Sequence, residues 1–166
     1  MKSPILRMIK VLFFTCILTA LFCVPAFAGD TSAVNSAFLS DINALRSSKG
    51  LAPLSMDSSL SGVAATRAQE ASTNWSHTRP NGTQGISLLP KDKWRGENLS
   101  YVQYGEFGFT PDEQKAAEEL MFANLKASPT HYANMVHANF TKIGIYTYVM
   151  QTGSGYKLTS AFMFTS

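Results

Sequence analysis

The 166-residue chain is 45% apolar and 15% charged, a balance that excludes a disordered or low-complexity segment and suits one domain with its own core. Its formal charge of +3 comes from the first 28 residues, where Lys2, Arg7 and Lys10 stand without any of the 11 acidic residues; residues 29–166 carry 11 charges of each sign. That neutrality removes the electrostatic argument for nucleic acid or an anionic membrane as partner.

Behind the basic start comes the apolar run VLFFTCILTALFCV and then PAFA, with small residues at Ala26 and Ala28. This is the pattern of a secretory signal peptide spanning residues 1–28 and cleaved after Ala28, so the protein is expected to be secreted or extracytoplasmic. A run of about 14 residues is short for a bilayer, which leaves no stable membrane span once the leader is removed. Bulky Phe22 before Cys23 disfavours lipoprotein processing. Cys16 and Cys23 both lie in the leader, so residues 29–166, read as a single domain, must be held by packing without a disulfide.

Val34, Phe38, Ile42 and Leu45 recur at the spacing of an amphipathic helix, which Gly50 and Pro53 end. Asp57 is the expected N-cap of a second helix, with Leu60, Val63 or Ala64, Ala68 and Ala71 on its inner face. Residues 72–104 then read as a long irregular segment, of the kind that carries function more often than not in a compact domain. Trp75 and Trp94 flank it and are expected to be buried anchors.

Order returns at TPDE, where Thr110 is an N-cap, Pro111 the first helical residue and Glu113 the third residue of a capping box. Ala117, Leu120 and Met121 are expected to face inward. SPTH starts a short helix with Ser128 as cap and His131 in its first turn. Finally KIGIYTYVMQ and YKLTSAFMFT, joined by TGSG, predict an antiparallel hairpin with Ile143, Ile145 and Val149 on one face. Helices first and strands last give an α+β layered domain.

His77, in SHTRPNG, Glu97, in GENLS, and His131 are the residues whose chemistry stands out. Two imidazoles and a carboxylate could supply three ligands to zinc or another divalent ion and leave a position open for water, but no HExxH motif puts them on one helix, so the fold would have to assemble them. His137, in MVHANF, reads as an exposed loop residue. N-x-S/T triplets begin at Asn74, Asn81, Asn98 and Asn139 and read as coincidence rather than as glycosylation sites.

SHTRPNG, GENLS, SPTHYANM and NFTKIGI, in this order, resemble the CAP superfamily of cysteine-rich secretory proteins, plant pathogenesis-related proteins and venom antigens, and DINALRSSKGLAPLSMDSSLSGVAATRAQE is similar to its first two helices. The resemblance covers residues 38–164 and is nearest to the short, disulfide-free bacterial members. It implies a three-layer α-β-α sandwich with a wide cleft where two histidines and two glutamates can bind a divalent metal. His77, Glu97 and His131 match three of those four. In many members the second glutamate lies three residues beyond a helix tryptophan; here those two positions hold Leu125 and Ser128. Glu118 and Glu119 are substitutes for it, otherwise read as solvated helix charges, and Asn98 and Asn134 match motif asparagines expected to hydrogen-bond loop backbone.

The resemblance implies a monomeric, non-enzymatic binding or interaction module with a His/Glu cleft for a divalent metal such as zinc, and an unidentified ligand that could be a lipid, a cell-wall component or a host protein. An alternative is a metal-dependent hydrolase of extracellular peptide or cell-wall substrates, with Glu97 or a histidine moving the proton. Ser76 and Ser128 adjoin the motifs, but without a G-x-S-x-G elbow they serve better as caps. A third reading is structural: Glu97 accepts a hydrogen bond from an imidazole and ties the middle loops to the sandwich.

Overall fold

The computed structural model describes residues 29–166; the expected signal peptide lies outside the described residues. Helix α1, Ser32–Ser47, buries Val34, Phe38 and Ile42 along one stripe, with Leu45 partly covered beside them. Arg46 is on the buried face too. Its guanidinium donates to the carbonyls of Ala52, Met135, His137 and Phe140, fastening the end of the helix to two distant loops. Gly50 then turns the chain at φ +70, a conformation that favours glycine.

A two-residue strand, β1 (Ser55–Met56), precedes helix α2 (Ser58–Thr73), whose N-cap Asp57 accepts from the amides of Ser59 and Leu60. Leu60, Ala64, Ala68 and Ala71 form its buried face, with Val63 partly covered. The expected irregular middle is only partly irregular. It contains a 3₁₀ turn, Gly85–Leu88, and ends in a ten-residue strand, β2 (Arg95–Tyr104). The strand escapes an apolar pattern because Glu97, Asn98 and Ser100 are buried in it and satisfied by hydrogen bonds rather than by water.

Helix α3, Pro111–Ala127, opens on the full capping box of Thr110 and Glu113. Its buried stripe is Ala117, Glu118, Met121, Phe122 and Leu125, which leaves Leu120 49% exposed on the opposite side, against expectation. Helix α4 is short, Pro129–Met135. Strands β3 (Lys142–Thr152) and β4 (Gly155–Thr165) pair antiparallel through a two-residue turn, as predicted.

The sheet order is β1-β3-β4-β2, with β1 parallel to β3 and β2 antiparallel to β4 from Arg95↔Thr165 to Tyr104↔Tyr156. One face packs Ile143, Ile145, Val149, Leu158, Phe162 and Phe164 against α1, α3 and α4; the other packs Ala161, Met163 and Leu99 against α2. Those two cores make a three-layer α-β-α sandwich. Gly144 shows how closely α2 lies on the sheet, since a Cβ there would overlap the backbone of Leu60 and Ser61. No helix among the described residues is long and apolar enough to cross a membrane.

Candidate functional site

The loop after α2 folds back on itself. Thr78 bridges Gln84, the Gly85 amide donates to the His77 carbonyl at 2.8 Å, and the Arg79 amide donates to the Thr83 carbonyl at 2.7 Å. This turn chemistry holds His77, half-exposed, beside Glu97 of the edge strand β2. Its Nδ1 lies 2.7 Å from Glu97 Oε1. A carboxylate only accepts, so Nδ1 is the protonated nitrogen and the second ring nitrogen is left to the cleft.

Glu97 is buried and already paired. Arg67 of α2, fully buried, donates Nε to Glu97 Oε2 at 2.7 Å and Nη2 to Glu97 Oε1 at 3.3 Å and to the Ser76 carbonyl at 2.8 Å. Its Nη1 reaches Glu70, whose carboxylate also takes the Arg79 fork. Burial works to lower the Arg67 pKa, but the hydrogen bonds it donates to Glu97 and Glu70 outweigh it and the net shift is upward. Glu70 is held below the usual carboxylate range, chiefly by Arg79. Gly85 is required here: a Cβ would overlap the Glu97 carboxylate and the Arg67 guanidinium.

His131 comes from the other face of the sheet, in the first turn of α4. Its carbonyl accepts from Asn98 Nδ2 at 2.8 Å, and Asn134 Nδ2 donates to Asn98 Oδ1 at 2.8 Å and to the Glu97 carbonyl at 3.2 Å. The asparagine pair thus fixes α4 to β2, and Asn98, fully buried, offers nothing to the cleft surface. The two imidazole centroids stand 6.1 Å apart. Burial, and secondarily the neighbouring His77, lowers the His131 pKa, so its neutral form is favoured. Its ring makes no hydrogen bond with the described residues.

The model of CAP, the cysteine-rich secretory protein family, matches residues 39–165. The chain belongs to the CAP family. Among solved structures, the CAP domain is similar to an outer surface protein of Borrelia burgdorferi, at 22% identity and TM-score 0.60, covering 82% of this chain and 95% of that one. It is also similar to a cysteine-rich secretory protein of Staphylococcus aureus, at 17% identity and TM-score 0.55 over 80% of this chain and 38% of that one. A third is NaASP2 with Zn²⁺, at 18% identity and TM-score 0.58, covering 83% and 82%. At these identities the likeness shows the shared fold. In sequence, no curated protein matches the chain.

A zinc-bound neighbour raises the question of whether this CAP domain could hold an ion with the expected ligands. Among the described residues, no three of His, Cys, Asp and Glu are grouped so as to hold one. Both Glu97 oxygens are engaged by Arg67 and His77, so the carboxylate stands where an orienting group behind a ligand would stand. Of the three expected ligands, that leaves the imidazoles of His77 and His131 uncommitted to a buried charge pair.

The other expected cleft residues divide. Ser128 lines the cleft with His131, but its hydroxyl lies 3.3 Å from Thr130 Oγ1 and makes no cap to the helix amides. Glu118, expected as a solvated charge, is only 2% exposed and unpartnered at Oε1; burial, then Asp41 and Glu119, pushes it up to about 7. Asp41 belongs to α1, which places Glu118 at the α1/α3 contact and outside both clefts. Glu119 is exposed, 3.6 Å from Lys115. Trp75 and Trp94, expected as buried anchors, are 47% and 57% exposed. His137 is half-buried, its ring 5.1 Å from Trp94 and 4.6 Å from Phe140.

Arg67, Glu70, Arg79 and Gly85 were not foreseen. A signal for Arg67 exists: it falls with Leu60, Ala64 and Ala71 at steps of four and three, on the inner stripe of α2. A guanidinium there demands a buried carboxylate, and Glu97 is the one available.

Proposed function

We propose that this CAP domain is an extracytoplasmic binding module whose ligand is gripped between His77 and His131, with a divalent cation such as Zn²⁺ as an occupant of the pair. One observation carries the reading: the 2.7 Å contact with Glu97 occupies His77 Nδ1 and leaves the other ring nitrogen of His77 to the cleft, with the two rings 6.1 Å apart and the His131 pKa lowered by burial. Imidazole nitrogens are donors that suit a borderline cation, and zinc there would supply Lewis acidity toward a bound polar group. Glu97, screened by Arg67, orients His77.

The leader-like segment in residues 1–28 supports an extracytoplasmic location, as do neighbours described as an outer surface protein and as an extracellular protein of Bacillus anthracis. The clefts beside His77 and beside His131 measure about 290 and 230 Å³. They lie at and below the lower end of the roughly 300–1,000 Å³ of drug-sized sites, which favours an ion or one small group over a whole lipid. Against the hydrolase alternative, the two hydroxyls near the motifs are engaged, Ser76 Oγ with the Thr78 amide and Ser128 with Thr130.

Zinc titration by calorimetry, beside His77→Ala/His131→Ala, tests the proposal. One-site binding that disappears in the double variant is expected, weakening as pH falls and the imidazoles take protons. Equal binding in both proteins overturns the two-histidine site; no binding in either removes the cation.

A further inference from the structure

The cleft beside His131 has an aromatic rim that the two-histidine reading does not use. Trp75 and Tyr101, 47% and 42% exposed, meet edge to face with centroids 4.6 Å apart. They rim the 230 Å³ cleft whose other walls are Asn124, Ser128 and His131, over a floor of Leu99 and Leu125. Lys157 fixes the platform: its Nζ stands 4.7 Å over the Tyr101 ring and 6.0 Å from that of Trp75, and donates to the Ser72 carbonyl at 2.9 Å. Two exposed aromatic rings in contact beside a cleft form the kind of apolar patch with a polar rim that marks a ligand-binding groove.

We infer that this cleft is a glycan subsite, with one pyranose ring packed against the Trp75 and Tyr101 pair and its hydroxyls bonded to Asn124, Ser128 and His131. The amide, the hydroxyl and the imidazole can each both donate and accept, which matches vicinal sugar hydroxyls, whereas a peptide backbone presents donors and acceptors fixed in a line. The volume suits a single ring. No carboxylate lines the cleft, and Lys157 beside it is cationic, so the sugar is neutral or acidic rather than amino-cationic. Trp94 is the contrast: equally exposed, it lies against His137 and outside this cleft.

The inference shares only His131 with the proposed cation site, so the two can fail separately. Calorimetry in chelator would use four probes: N-acetylglucosamine trisaccharide, trigalacturonate, the glucosamine trisaccharide and a Phe-containing tripeptide. Binding of one or both of the first two is expected, with the glucosamine trisaccharide at least tenfold weaker. Trp75→Ala should weaken binding tenfold or more, Trp75→Phe should restore part of it, and His77→Ala and Trp94→Ala should leave it unchanged. Melting curves confirm that each variant is folded. No binding of any probe at millimolar concentration overturns the inference, as does equal affinity in Trp75→Ala. Preference for a Phe-containing tripeptide over every sugar overturns it too and assigns the cleft to peptide.

Discussion

On the His77 side of the cleft, the charged groups next to the ring are partnered: Glu97 with Arg67 and His77, Glu70 with Arg67 and Arg79. On the His131 side, the imidazole has no hydrogen-bond partner among the described residues, and two aromatic rings stand in solvent. The difference follows depth. Arg67 and Glu97 are out of water, where an unpaired charge costs several kcal/mol, so the network had to close on itself. Trp75, Asn124 and His131 keep contact with water, where an open hydrogen-bonding group costs little and stays available to a ligand. One wall is built to hold its geometry and the other to exchange partners.

Removing the centre of the closed wall should have the largest effect. Arg67→Met leaves Glu97 buried without its counter-charge, and a loss of about 3–5 kcal/mol is expected by chemical denaturation. The double variant Arg67→Met/Glu97→Leu should recover much of that loss, because it removes both charges; a double variant as unstable as the single would show that the network stabilises by more than charge pairing. Gly85→Ala comes next, at about 1–3 kcal/mol, because the new methyl group must push the Glu97 carboxylate off Arg67. It should also weaken zinc binding, through the displaced orienter of His77. Normal melting and normal binding in Gly85→Ala would mean that the wall yields easily and that the contrast between the two sides is overstated.

These residues also mark where the sequence could be read and where it could not. The Thr110 capping box, the Asp57 cap, the α1 stripe and the final hairpin are local patterns, and each was legible in the residues that make it. His77, Glu97 and His131 stood out through their motifs, and the fold does bring the two histidines together. Strand β2 was missed because its buried positions are polar, and Arg67 was missed because its partner lies 30 residues away. The burial of Glu118 and the exposure of Leu120 depend on where α1 lands on α3, a tertiary fact that the helical period alone leaves open. Trp75 and Trp94 depart from the rule that large apolar residues go inside, and nothing local in the sequence marks either as exposed.

Glu118 sharpens the comparison as a buried carboxyl with no cationic partner. Its pKa is raised to about 7 by burial and by Asp41 and Glu119, with only Lys126 opposing. A folded pKa above the unfolded one means that the neutral acid is what the fold tolerates. The stabilisation is therefore complete below the ordinary carboxyl pKa and is lost as pH rises from about 4.5 through about 7. Glu118→Gln should flatten that part of the stability profile and gain on the order of 1 kcal/mol at pH 8, with little change at pH 4. His131 contributes the opposite slope. Its depressed pKa gives stability that is present above the unfolded imidazole value and lost as pH falls, so the two slopes oppose each other where the titrations overlap and Glu118→Gln should leave the His131 slope uncovered. A profile that keeps its fall toward pH 8 in Glu118→Gln would place the lost stability elsewhere.

The smallest stability effect is predicted for Trp75→Ala, and its smallness is what makes it informative. Trp75 is nearly half in water, and its chief contact is the edge-to-face pair with Tyr101, worth about 0.5–1.5 kcal/mol for an aromatic pair and less where both rings are wet. A loss of about 1 kcal/mol or less is expected, a Tm change of only a few degrees. The same variant should weaken glycan binding tenfold or more, if the open wall is a ligand surface. A residue that matters for binding and hardly for folding is the mirror image of Arg67, and the two variants measured side by side test the division of labour directly. A loss in Trp75→Ala comparable with that in Arg67→Met would show that the open wall is structural after all, with its exposed rings bracing the α2 loop against β2.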